Sequence, residues 1–194
     1  MDVTKIKFLK MKKNVLFALF AFGFLPSFAQ QSQPKYFIAF CSEEVSTSAA
    51  GGHAFITIGK GEPFTCNIDG GDGEAFGLYA KDDNNKDCVP SKFNALISKI
   101  YVGGLPGCLF NDIRTSVDNY LVLRCSFEEY LMVQTEIETW KKKNYRLTTQ
   151  DCLTFVIEVA KLFSDRLTIP SRSGFDNFPN QYMLKLKSLN KGDY

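Results

Sequence analysis

Apolar positions fall in short runs over the first half of the chain and at helical spacing over the second. Tyr36 to Cys41 (Tyr-Phe-Ile-Ala-Phe-Cys) is aromatic, brief and bounded by polar residues, which predicts a strand. His53 to Ile58, Phe64 to Ile68 and Ala75 to Ala80 predict three more. The turn residues Gly59-Lys60-Gly61-Glu62-Pro63 join the first two of these as a hairpin. Ser91 to Ile100 predicts a short helix, and Asn119 to Cys125 a further strand. Ser126-Phe127-Glu128-Glu129 has the form of a capping box and opens a helix to about Lys143. From Asp151 onward, Cys152, Phe155, Val156, Val159, Ala160 and Phe163 repeat at the spacing of one helix face. Pro170 closes that region, and Pro179 to Leu189 predicts a terminal helix. The sum is an α+β fold, a small and mainly antiparallel sheet with helices packed on one side.

Before this pattern begins lies a segment of another kind. Residues 1–29 start with Lys5, Lys7, Lys10, Lys12 and Lys13, continue through an apolar run from Val15 to Leu25, and end on Pro26-Ser27-Phe28-Ala29. A basic start, an apolar middle and small residues before a cut describe a signal peptide cleaved after Ala29. The apolar run is shorter than the ~20 residues that span a bilayer, so no stable membrane anchor is expected after cleavage. Five lysines against Asp2 give that segment a net +4, so the rest of the chain carries −2 against +2 for the whole. The basic balance belongs to the leader, and nothing in the remainder calls for nucleic acid. Residues 30–194 have the length of one domain with an adequate core, placed in the periplasm or secreted.

Six cysteines in an exported chain invite disulfides. Cys41, Cys66 and Cys125 lie in strand-like apolar runs and read as buried thiols, whereas Cys88 and Cys108 lie in loop-like sequence and are the best candidates for a bridge. There is no Cys-x-x-Cys and no second histidine, so neither a zinc site nor any cofactor is expected.

The chemistry rests on the sixth cysteine and the single histidine. Cys152 stands in Thr148-Thr149-Gln150-Asp151-Cys152-Leu153, at the start of the amphipathic helix; His53 follows Gly51-Gly52 at the start of an apolar strand. The nucleophile of a thiol enzyme is the thiolate, which the positive end of a helix dipole favours. The free N–H groups of the same turn can hold an oxyanion, and an imidazole opposite can take and return the proton. This requires His53 to face Cys152 in the fold. Each residue alone is more simply a packing or surface group; together they point to a cysteine hydrolase.

Asp151-Cys152-Leu153-Thr154-Phe155-Val156 resembles the nucleophile helix of NlpC-type papain-like cell-wall peptidases. Gly52-His53-Ala54-Phe55-Ile56-Thr57-Ile58-Gly59 resembles their histidine strand. Histidine precedes cysteine here, the order of the circularly permuted branch that includes lecithin:retinol acyltransferase-like proteins and related bacterial hydrolases. The resemblance covers about 25 residues in two blocks and implies a permuted papain-like domain with Cys152 as nucleophile and His53 as base. It implies that Tyr145 and Asp151 border the substrate, and that a third polar residue orients the imidazole. Hairpin parity offers Thr65, Asn67 and Asp69 for that role, with Asn67 preferred because its amide oxygen can accept from the ring N–H. In the permuted branch the third residue is often His or Glu, so the chain departs from the pattern there. The expected substrate is a peptide or peptidoglycan fragment, cleaved at an amide through an acyl-enzyme. Acyl transfer, lipid or thioester hydrolysis on the same site, and a non-catalytic binding module on this scaffold, remain open beside it.

Overall fold

A computed structural model describes residues 36–44, 52–61, 73–81, 92–111, 117–174 and 178–191. Both apolar clusters described below belong to the compact unit Pro34–Tyr194.

Five strands make one antiparallel sheet: β1 (Tyr36–Glu43), β2 (His53–Lys60), β3 (Glu74–Ala80), β4 (Gly107–Asn111) and β5 (Asn119–Cys125). Their order across the sheet is β4-β3-β2-β1-β5. Four helices accompany it: α1 (Lys92–Ile97), α2 (Phe127–Trp140), α3 (Cys152–Lys161) and α4 (Pro179–Leu189). The strands alternate as a pleated sheet must. Ile38, Phe40, Ala54, Ile56, Ile58, Leu78, Leu121 and Leu123 point to one face and meet Val133, Ile137 and Trp140 of α2, seven residues of α3, and Tyr182, Met183 and Leu186 of α4. Ala39, Cys41, Phe55 and Ala75 form a smaller cluster on the other face. All four described helices lie against the first face, as the apolar stripes predict.

Local chemistry explains where the helices begin. The Ser126 hydroxyl accepts from the Glu129 amide at 3.2 Å, while the Glu129 carboxylate accepts from the Ser126 amide at 2.7 Å. This is the reciprocal capping box predicted for α2. α4 opens on Pro179, whose missing N–H costs nothing in a first turn. Asn190 closes it, its side-chain amide donating to the Thr168 and Leu186 carbonyls.

Two expectations need correction. Cys108 sits in strand β4, whereas its sequence reads as loop. β4 is an edge strand following Pro106-Gly107, and its pairing with β3 comes from tertiary contact rather than from its own alternation. The hairpin partner of β2 is also different. β2 takes β1 and β3 as neighbours, with Ile58 opposite both Ile38 and Glu74, so at that point both its edges are occupied. Phe64–Ile68 lies outside the described residues. Cys108 is disulfide-bonded, while Cys41, Cys125 and Cys152 are buried.

Phe40 and Leu123 are fully buried at the centre of the main cluster. Leu123→Ala is expected to cost about 2–5 kcal/mol and Phe40→Ala about 3–5 kcal/mol, read as a fall in the urea midpoint at unchanged slope. Tyr182→Phe, which deletes the hydroxyl donating to the Pro170 carbonyl at 2.8 Å, is expected to cost about 1 kcal/mol.

Candidate active site at the start of helix α3

Cys152 is the first residue of α3 and 7% exposed. Asp151 precedes it in extended conformation and caps the helix. One carboxylate oxygen accepts from the Thr154 amide and hydroxyl, each at 2.9 Å, and the other accepts from the Thr148 amide at 2.7 Å. Arg172 then clasps the same carboxylate with both terminal nitrogens, at 2.8 and 2.6 Å, and donates to the Thr154 hydroxyl at 2.6 Å. Two parallel guanidinium–carboxylate bonds are the strongest ion-pair geometry available to side chains.

These contacts decide the state of Asp151. Burial pushes its carboxyl pKa up, but the hydrogen bonds and charge of Arg172, with the bonds from Thr154, outweigh that and hold it below the usual range. The group is 2% exposed and its oxygens are engaged. Asp151 therefore fixes the helix start, with its carboxylate oxygens engaged by Thr148, Thr154 and Arg172. The cap uses the amide of Thr154, and the Asp151 carbonyl takes that of Phe155. Among the described residues, the amides of Cys152 and Leu153 are the two in this turn that no such bond consumes.

Tyr145 stands beside this turn. Its backbone pairs with Leu105 in both directions, at 2.9 and 2.7 Å. Gly104, at φ +80, allows that approach, since a Cβ there would lie 2.5 Å from the Tyr145 carbonyl oxygen. The loop onward is tied by Arg146 and Gln150, whose backbones bond each other at 2.8 Å, and by the Leu147 amide donating to Ser98 Oγ at 2.9 Å. Thr148 takes a left-handed φ of 78 within it. Burial is the main reason the Tyr145 phenol titrates far above its ordinary value; the charges of Cys152 and Asp151 push in the same direction. The hydroxyl thus stays protonated and can act as a donor.

His53 opens β2, where Gly52 at φ +102 brings the chain within 2.7 Å (measured from a notional Cβ) of the Glu43 carbonyl. Its ring stacks on Tyr79 at 4.3 Å and lies parallel to Phe55 at 6.1 Å. Tyr79 is also among the groups whose charge raises the pKa of Tyr145. Alternation along β2, however, gives His53 the parity of Phe55, in the smaller cluster, whereas Cys152 packs with Ala54, Ile56 and Ile58 in the larger one. No direct hydrogen bond between His53 and Cys152 is among the described contacts. Thr65, Asn67 and Asp69 lie outside the described residues.

Sequence reasoning missed Arg172 and Tyr79. Arg172 lies in the loop Pro170-Ser171-Arg172-Ser173, where no local pattern marks it. Tyr79 was visible only as a strand residue. A cleft of 440 Å³ runs along α3 beside Arg172, lined by Thr148, Thr149, Thr154, Ile157 and Pro170 among others.

Arg172→Met should strand a buried carboxylate and cost about 3 kcal/mol, with Arg172→Met/Asp151→Asn recovering part of the loss. The pH dependence follows from the depressed Asp151 pKa. That stabilisation is complete above the unfolded value of about 3.9 and disappears as pH falls through the lower, folded value. Thermal melts from pH 7 down to pH 3 should show wild-type stability falling at the acid end, with a shallower fall in Asp151→Asn.

No family model matches the chain, and no curated protein matches it. Among solved structures, the chain is similar to the crystal structure of a type VI secretion system effector, TseH, at 13% identity and a TM-score of 0.43, with 80% of this chain and 91% of that one covered.

Proposed function

We propose that this chain is an exported cysteine hydrolase of permuted papain-like design, cutting an amide bond through an acyl-enzyme on Cys152. The observation that carries this reading is the placing of Cys152 at the first position of α3. Its turn is locked from outside by Arg172 and Asp151, and two of its amides are not used by the cap. The thiolate attacks the substrate carbonyl carbon, and the carbonyl oxygen becomes an oxyanion within reach of the Cys152 and Leu153 amides. The amine leaves with a proton, the acyl group stays on sulfur as a thioester, and water completes the hydrolysis. His53 is the only imidazole in the chain and serves as the base; it works from the Tyr79 side of the site, which requires the β2 start or the substrate to bring the ring and the thiol together. Tyr145 serves as a protonated donor beside the sulfur. Peptidoglycan stem peptides are the substrate class an exported hydrolase of this design meets first.

A second reading is a non-catalytic binding module on the same scaffold. The parity of His53, with Phe55 rather than with the residues packed under α3, favours it.

Purified peptidoglycan incubated with the protein, Cys152→Ala or His53→Ala separates the two. The hydrolase reading expects new stem-peptide fragments by mass spectrometry, reduced at least about 10²-fold in each variant. Fragments that persist in Cys152→Ala, or retention of peptidoglycan without cleavage by all three proteins, would overturn it.

A further inference from the structure

Between α1 and β4 the chain makes an apolar projection. Ile100 is 79% exposed, Tyr101 48% and Val102 100%. This tip is held rather than loose. The Gly104 amide donates to the Tyr101 carbonyl at 3.1 Å, the Asn144 side chain donates to the Gly103 carbonyl at 3.0 Å, and Leu105 is paired with Tyr145. Gly103 and Gly104, at φ +82 and +80, make the reversal. Burying an exposed valine and isoleucine inside the fold would have been favourable, so an ordered tip that presents them to water indicates a surface with something to meet.

The charges around the tip say what. Residues 98–107 and 141–150 contain no carboxylate but carry Lys99, Lys141, Lys142, Lys143 and Arg146. The second segment lies against the base of the tip, because the Asn144 and Tyr145 contacts hold it there. Lys99, Lys141 and Lys142 are exposed. Lys143 rests its amine 3.8 Å over the Trp140 ring, and Glu138 pairs with Lys141. The tip is three residues wide, far less than the roughly 1,200 Å² that a specific protein interface buries. A short apolar wedge with a tyrosine, flanked by lysine-bearing segments, instead has the character of an interfacial anchor.

We infer that Ile100-Tyr101-Val102 inserts into the surface of an anionic lipid bilayer, with Lys99, Lys141 and Lys142 against the headgroup phosphates. No described helix is long and apolar enough to cross a membrane, and this contact is peripheral. Tyr145 lies at the base of the tip through its backbone pairing with Leu105. The inference stands independently of whether Cys152 is a nucleophile.

The test is flotation of the protein from Gln30 onward, the product of cleavage after Ala29, with phosphatidylcholine vesicles, with and without phosphatidylglycerol. Binding is expected to the anionic vesicles and to weaken as salt rises. Lys141→Gln/Lys142→Gln should lower the partition coefficient about 25-fold at low salt, about fivefold per lysine. Ile100→Asp/Val102→Asp should lose binding, while Leu184→Asp, at an exposed position on α4, should keep it. All these positions are exposed, and thermal melts confirm that each variant is folded. Absence of binding to either vesicle, equal binding to both, or unchanged binding by Ile100→Asp/Val102→Asp would overturn the inference. So would a tip that cross-links to a protein partner while ignoring anionic vesicles.

Discussion

The arrangement of this molecule's candidate site depends on one buried ion pair. Asp151 ends a tight loop, caps α3 and receives both arms of Arg172, so a single carboxylate ties together the loop from Thr148, the first helical turn and the segment after Pro170. Burying that charge alone would cost several kcal/mol; the bidentate guanidinium and the amide bonds offset the cost and leave the carboxylate ionised. Because α3 packs on the sheet through Leu153, Phe155 and Val156, fixing its first turn also fixes where Cys152 stands over β2 and β3.

Much of the fold was legible as pattern. β1 and β5 appear as short aromatic and branched runs, and α2 and α3 announce themselves by a capping box and an amphipathic stripe. What escaped was pairing at long range. The turn after Ile58 suggested a hairpin into Phe64–Ile68, yet β2 is flanked by β1 and β3. Which strand fills an edge is settled by the packed sheet, not by the nearest glycine turn. β4 was hidden for a related reason, since an edge strand of five residues behind a proline needs no alternation of its own.

The site was half legible. Cys152, Asp151 and Tyr145 fall in one stretch of chain, and the structure gathers them; Arg172 reaches the cluster from 20 residues beyond Cys152 and shows only in three dimensions. The face of His53 was the harder matter. In His53-Ala54-Phe55-Ile56-Thr57-Ile58 both parities are buried, so alternation, which normally names the inner face, had nothing to contrast. Phe55 packs in the small cluster with Ala39 and Cys41, so this strand is covered on both sides, and His53 shares the parity of Phe55.

A nucleophilic thiol and a packed one differ most plainly in reactivity. Cys125 supplies an internal standard, because burial, reinforced by Glu129, pushes its thiol up to about 11. The most direct measurement is the rate of iodoacetamide labelling at pH 6, resolved peptide by peptide, for Cys152 and Cys125 in the folded protein and for a free cysteine peptide. The hydrolase account predicts that Cys152 reacts at least about tenfold faster than the free peptide, that this advantage falls in His53→Ala, and that Cys125 stays unlabelled. Labelling of Cys152 at or below the rate of the free peptide would contradict the account and leave Cys152 as a core residue of a binding module.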